Sequence, residues 1–452
     1  AGYFDPAREK FTTVLLDELG IPDLEAMRFR YSLLELSTAV KPFFLEYLFR
    51  HHGCRKLCYF DPDIYLYAPI DDVWDLLDRY GIVLTPHLTG PLDNDHRPTE
   101  LDILQVGAYN LGFIGLSEGS DLYSFLQWWQ DKLVRDCVME PNRGLFVDQR
   151  WMDLAPSLFA GVYIHRNPGC NVAYWNLGHR VLIRDERGNY TVDGEPLQFF
   201  HFSGFSPDQM NNISKHQDRL NFRSSPQMRP LFEAYRDCLW QHGYEQAKYW
   251  PYSHDYHDGI AIPPVARAIW RQREGVDAEH DPFVTHPDEQ FVQRMIHWLN
   301  EPMDDRAADK VALTRLAWGI YQLRPDLQKL WPDVLRSHRR LFAHWFVRTG
   351  KREYQLDDTF VRPVAEVGDI SLWDWLKLTR RQRRALFYYD LTNWLFRLGI
   401  GTSVEQKLGL RRVKHIRRIL TGRRTGNPDV TSLWNPNRAT DQREGMANGR
   451  EP

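Results

Sequence analysis

Two aspartates one residue apart, Asp61 and Asp63, are the side chains in this sequence best placed to do chemistry. Carboxylates are hard oxygen donors. A pair at this spacing suits Mg²⁺ or Mn²⁺, ions that bind through few protein oxygens and share their remaining positions with phosphate. The four residues at 57–60, Leu-Cys-Tyr-Phe, form an apolar run that reads as a buried strand. Pro62 has no N–H to offer a sheet ladder, so the strand must stop where the two acids emerge. The alternative is a surface Asp-Pro-Asp turn with no ligand, the commoner fate of an isolated Asp-x-Asp. The residues downstream of the pair separate the two readings.

The elements that position the pair follow from hydrophobic periodicity. Over 21–50, apolar residues recur at helical spacing (Leu33, Leu36, Val40, Phe43, Tyr47), which predicts one helix leading into the strand and carrying Lys41. Residues 70–80 read as a short helix, 81–86 and 106–116 as strands, and 120–138 as a strongly periodic helix with Trp128 and Trp129. Between the two strands, the polar, proline-containing stretch 90–100 reads as a loop near the acids. A further strand ends at His201, before a Gly/Ser/Pro turn. Strands alternating with helices argue for an α/β layered domain over 1–222. From 223 to 424 the chain reads as mainly helical, and the polar stretch 425–452 is expected to be disordered.

Composition narrows the class. The 452 residues are 43% hydrophobic and 26% charged, enough for one large core or two domains. A net charge of −3 gives no overall pull toward nucleic acid. The 5 cysteines match no zinc spacing and are odd in number, which reads as reduced thiols in a cytosol. No run of 18 apolar residues is present to span a membrane, and no signal peptide is visible. The segment 381–424 differs from the rest, with twelve Lys/Arg against Asp390 and Glu405 and with aromatics interleaved. It is expected to dock on an anionic membrane surface, the alternative being a solvated helix face.

The order of motifs resembles the GT-A nucleotide-sugar glycosyltransferases of the glycogenin and bacterial lipopolysaccharide α-galactosyltransferase type. The matching residues are Lys41, Asp61-Pro62-Asp63, Asn110-Leu111-Gly112, Asp148-Gln149, Trp175-Asn176 and His201-Phe202-Ser203-Gly204. The resemblance covers roughly residues 10–220 and implies a Rossmann-like mixed-sheet domain. It implies that Asp61, Asp63 and His201 hold a divalent ion, Mn²⁺ or Mg²⁺, against the donor diphosphate. Asp148 and Gln149 would stand beside the anomeric carbon as the catalytic pair. Lys41, Asn110, Gly112, Trp175, Asn176 and Gly204 would contact the donor. In plainer readings His201 is a core histidine, Asp148 caps the segment 149–154, Gly112 allows close backbone approach, and Lys41 is a solvated helix lysine.

The chain departs from that pattern in two places. The family follows its His-x-x-Gly with Lys-Pro-Trp to clamp the diphosphate, whereas Phe205-Ser206-Pro207 stand here, which leaves Lys215 as the nearest cation for that role. The family also opens with a strand that binds the nucleotide base, and none is legible upstream of Thr13. The expectation is therefore a piece of a longer protein, with one sheet edge unpaired and a poor nucleotide pocket. The implied activity is metal-dependent, retaining transfer of a hexose from a UDP-sugar to a glycan or lipid-linked glycan in bacterial cell-surface polysaccharide assembly. The implied place is the cytoplasm, peripherally at the inner membrane. The alternative is a non-catalytic glycan-binding or scaffolding module derived from such an enzyme.

Overall fold

The apolar periodicity over 21–50 builds three helices rather than one. In the computed structural model these are α1 (Leu24–Arg30), α2 (Leu33–Ala39) and α3 (Lys41–His52). Two local signals break the pattern. Ser32 caps α2, its hydroxyl accepting from Glu35 N–H while the Glu35 carboxylate accepts from Ser32 N–H. Pro42 lies in the first turn of α3, the one helical position where its missing N–H costs nothing, so α3 starts at Lys41. The structure describes residues 5–22, 24–93, 95–250, 256–257, 260–272, 291–303, 313–365 and scattered residues between 376 and 387.

The sheet follows. Strand β1 (Lys56–Phe60) ends before Asp61, and β2 (Ile64–Leu66) resumes after the turn. Helix α4 (Asp71–Leu77) leads to β3 (Ile82–Pro86), and α5 (Glu100–Val106) to β4 (Tyr109–Ser117). Helix α6 (Leu122–Asp136), a small hairpin of β5 (Met139–Glu140) and β6 (Leu145–Phe146), a 3₁₀ turn at Gln149–Leu154 and α7 (Ala155–Leu158) precede β7 (Val162–Ile164). The order in the main sheet is β1-β4-β3-β7. Strand β4 is antiparallel to both neighbours, and β7 is parallel to β3, so the sheet is mixed and the domain α/β.

Asp61 N–H donates to Gly112 O and Glu118 N–H to Arg55 O, which places the odd-numbered residues of β1 on the β4 side of the ladder. The backbone groups of Lys56, Cys58 and Phe60 therefore point the other way, where no strand pairs with them among the described residues. The side chains alternate too. Leu57 and Tyr59 face a core built with α3 and α6, around Phe43, Phe49, Phe125 and Trp129. Cys58 and Phe60 face a second core with α4, around Val73, Phe113 and Phe199. Each fully buried large side chain contributes about 1.5–3 kcal/mol.

A three-stranded sheet of β8 (Leu182–Arg184), β9 (Tyr190–Val192) and β10 (Glu195–Pro196) leads to β11 (Phe199–His201), which pairs antiparallel with β2. Helix α8 (Met228–Gln241) packs behind β11, with Tyr235 stacked on Phe202 at 3.8 Å, and the short α9 (Tyr244–Ala247) follows it. That packing carries the first compact unit past residue 222, to Pro287. The second unit, Asp288–Pro452, holds helices at Phe291–Asn300, Arg315–Gln322, Arg339–Trp345 and Asp358–Ala365, with Trp298, Trp331, Phe342 and Trp345 buried. Most of the basic segment 381–424 and all of 425–452 lie outside the described residues. All 5 cysteines are free thiols, and no described helix is long and apolar enough to cross a membrane.

One long-range clamp holds the first helix. Arg267, buried on α10 (Pro264–Gln272), donates through Nη1 to the carbonyls of Arg28, Phe29 and Tyr31, at 2.9, 2.6 and 2.6 Å. These are carbonyls at the end of α1, where the helix itself has no donors left to offer. Replacing Arg267 with Ala strands them in the interior. The expected cost is about 3 kcal/mol, read as a lower midpoint in urea unfolding with the slope unchanged.

Candidate metal centre

The alternation along β1 decides where the acids point. Residues two apart on a strand share a face, so Tyr59 and Asp61 both lie on the side covered by α3. Lys41, at the first position of α3, reaches down to them. Its Nζ lies 2.9 Å from Asp148 Oδ2 and 3.2 Å from Asp61 Oδ1, and donates to Leu111 O at 2.9 Å. The ammonium thus donates one hydrogen bond to a carbonyl and stands in ion-pair contact with two carboxylates. Lys41 is only 3% exposed, which rules out the solvated lysine. Burial alone would lower its pKa, but Asp148 and then Asp61 outweigh burial and hold it well above the usual lysine range.

Asp148 is 2% exposed and occupies the N-cap position of the 3₁₀ turn, where its side chain makes no capping bond. It serves as counter-ion to Lys41 instead. Burial pushes its carboxyl up, Lys41 opposes the rise, and Asp61 adds to it. Gln149, beside it, donates its amide to Val106 O at 2.8 Å and so ties the turn to the end of α5.

Asp63 and His201 meet by strand pairing. The register of β11 on β2 sets His201 opposite Ile64, next to Asp63, and Phe202 N–H donates to Asp63 O. His201 Nε2 lies 3.0 Å from Asp63 Oδ1 and 4.0 Å from Asp61 Oδ2. Burial works against the Asp63 carboxylate, yet the hydrogen bond and charge of His201 hold it below the usual range. Asp61, Asp63 and His201 thus bring ligand atoms within 4.8 Å of one another.

These residues fit a divalent ion. Around a small octahedral ion with bonds of about 2.1 Å, neighbouring ligand atoms stand about 3 Å apart and opposite ones about 4.2 Å. The two separations from His201 Nε2, 3.0 and 4.0 Å, lie in that window. Asp61 and Asp148 flank one buried ammonium and Asp63 stands against His201, so three carboxylates share the cluster with one lysine and it has room for further positive charge. Two carboxylates and an imidazole suit Mn²⁺ or Mg²⁺, and the imidazole favours Mn²⁺. A second cluster, Asp72, His165 and Cys170, does not share these features. Its carboxylate already accepts from His165, Asn167 and Gln198, and the Cys170 thiol donates to Gln198. Burial keeps that thiol protonated, so this cluster is a closed polar network.

Behind His201 stands a polar scaffold that sequence reading only partly found. Gly112 N–H donates to Asn110 Oδ1, which identifies that atom as the oxygen. The same oxygen lies 3.2 Å from His201 Nδ1 and accepts from Asn171 Nδ2 at 3.0 Å. With Nδ1–H bound there, Nε2 is the nitrogen left for a ligand. The Asn110 amide nitrogen faces His87 Nε2, and burial pushes His87 down to about 4, so it accepts as a neutral ring. Trp175 sets its ring edge-to-face against both His201 and His87. Asn176 accepts from Ala173 N–H and donates to Asn171 O, so it shapes its own loop. His87, Asn171 and Tyr59 carry no motif signal; for Tyr59, the two-residue spacing from Asp61 along one strand is the feature that could have marked it.

Gly204 has φ +71° and lies against Ser214 and His216, while Lys215 N–H donates to Gly204 O. The turn after β11 thus brings exposed Lys215 back beside the His-x-x-Gly segment, in place of the missing Lys-Pro-Trp.

No protein-family model matches this chain, and no solved structure matches it. Among curated proteins it is 28% identical over 191 residues to the uncharacterized protein YfnF of Bacillus subtilis (strain 168), covering 40% of this chain and 60% of that one. It is 25% identical over 201 residues to the uncharacterized protein YfnD of the same organism, covering 44% of this chain and 62% of that one. The chain spans about three-fifths of the length of the curated relatives it matches.

Two substitutions separate the parts of the site. A Cβ on Gly112 would fall 2.6 Å from His201 Nδ1 and 2.8 Å from Asn110 Oδ1, so Gly112→Ala must displace His201. The expected stability loss is modest, about 1–3 kcal/mol, with Mn²⁺ affinity in isothermal calorimetry falling at least tenfold. Lys41→Ala instead leaves Asp148 buried without its partner and costs about 3–5 kcal/mol. Since the folded pKa of Lys41 lies above the ordinary value, its contribution is complete below about pH 10 and is lost only as pH rises through the folded value. The stability gap between wild type and Lys41→Ala, measured by urea unfolding, is therefore expected not to narrow between about pH 6 and 9, and to widen where the unpaired Asp148 carboxyl, already raised by burial, ionises.

Proposed function

We propose that the first unit is a metal-dependent hexosyltransferase of GT-A type. It takes a nucleotide sugar, a UDP-sugar in the first instance, and transfers the hexose to a glycan or lipid-linked glycan acceptor with retention. The observation that carries this reading is the meeting of Asp61, Asp63 and His201, from the end of β1, the turn after it and β11, beside the buried Lys41–Asp148 pair. A divalent ion held by Asp61, Asp63 and His201 would supply positive charge to the diphosphate oxygens as the nucleotide leaves. Asn110 orients His201 for that task, and Gly112 leaves the room it needs. Lys215, exposed on the turn beside Gly204, is the cation this reading assigns to a phosphate. Lys41, sealed between two aspartates, sets the position of Asp61 rather than touching the donor. The setting we propose is the cytoplasmic face of a bacterial inner membrane, in cell-surface polysaccharide assembly.

The burial of Asp148 and the engagement of Gln149 with Val106 O support a second reading, a glycan-binding or scaffolding module without turnover. One assay separates the two. The chain is incubated with Mn²⁺ and a panel of UDP- and GDP-sugars, and release of nucleoside diphosphate is followed. Wild type is expected to hydrolyse or transfer at least one donor, and Asp63→Ala to lose at least 100-fold with an unchanged melting temperature, since Asp63 is 42% exposed and adds little to the fold. Equal turnover in excess EDTA overturns the metal assignment. Sugar binding with no turnover of any donor selects the module.

A further inference from the structure

We propose that Tyr59 is a positioning residue of the metal centre, and that it makes Asp61 a one-oxygen ligand. This inference rests on the metal-dependent reading above. The Tyr59 hydroxyl donates to Asp61 Oδ1 at 2.8 Å, and Lys41 Nζ lies 3.2 Å from the same oxygen. Both anchors hold Oδ1. Oδ2 is left on the side of His201, 4.0 Å from Nε2, too far for a hydrogen bond and within the spacing of two ligands on one ion.

Lys41 alone cannot fix the carboxylate. Its charge is shared among Asp148, Asp61 and Leu111 O, and a point-like ammonium sets a distance rather than an orientation. Tyr59 supplies the second point that stops the carboxylate turning about its own axis. The phenol is itself held, because the Lys41 ammonium lies 4.7 Å from its ring centroid. Strand geometry makes the arrangement dependable, since residues 59 and 61 must share a face of β1. The phenolic hydroxyl therefore does for a metal-ligating carboxylate what outer hydrogen-bond partners generally do, and their loss costs 10–100-fold in affinity.

Tyr59→Phe tests this directly, because it keeps the ring under Lys41 and removes only the hydroxyl. Mn²⁺ binding to the full chain is measured without any donor, from the loss of the free-ion signal in electron paramagnetic resonance, alongside the melting temperature. Wild type is expected to bind Mn²⁺, and Tyr59→Phe to bind it about 10–100-fold more weakly with a melting temperature within about 5 °C. If the proposed transferase activity exists, saturating Mn²⁺ is expected to restore most of it in Tyr59→Phe but none in Asp61→Ala, which lacks the ligand itself. Wild-type Mn²⁺ affinity in Tyr59→Phe overturns the proposal while leaving the metal centre standing. Absence of Mn²⁺ binding in wild type overturns the metal reading and this inference with it. A variant whose affinity falls only in step with loss of fold assigns Tyr59 to packing and also overturns the proposal.

Discussion

The site depends on one buried positive charge. Lys41 brings an ammonium into a space where water cannot reach it, and such a charge is tolerable only when opposite charge stands beside it. Asp148 and Asp61 meet that demand, and they come from places far apart in the chain. One ammonium thus ties the start of α3, the end of β1 and the turn after β6 into a single cluster. With Lys41 held, Asp61 has a fixed partner on its inner side, and the side that faces Asp63 and His201 follows from it.

A second constraint acts from the other flank. Strand β4 is the inner strand between β1 and β3, and it carries Asn110 and Gly112 beneath the histidine. A single amide oxygen collects His201, Asn171 and the Gly112 N–H, so the imidazole cannot turn without disturbing two other groups. The absence of a side chain at Gly112 is as much a part of this as any donor, because the imidazole occupies the space a Cβ would take. The cluster is built like an interior, although Asp63 stays open to solvent.

Much of this was legible in the residues themselves. The stop enforced by Pro62, the strand before it and the strand ending at His201 are local matters, and local chemistry settles them. The three-way break of the first helical stretch is hidden for an equally local reason: Ser32 with Glu35 and Pro42 are start signals lying inside a continuous hydrophobic period that by itself spells one helix. The roles of Lys41 and Gln149 were not legible, since whether such a side chain meets solvent or a buried partner depends on residues 20 to 107 positions away. His87 and Asn171 carried no motif and became visible only through what they touch. The reach of the first unit past residue 222 belongs to the same class, because α8 and α10 read simply as helices until their partners are known.

The Arg267 clamp bears on how this chain is made. Its guanidinium closes the end of a helix whose carbonyls lie 236 to 239 residues earlier. A ribosome adding about 5–20 residues per second needs on the order of 12–48 s to travel that distance. For that interval α1 is without its terminal donor, and the helices that lead to Lys41 must be carried by their own caps and by the packing of α3 on α6. Vectorial synthesis therefore completes the scaffold of the site in two stages. Chains cut anywhere between β11 and α10 would contain every proposed metal ligand and still lack the lock on their first helix.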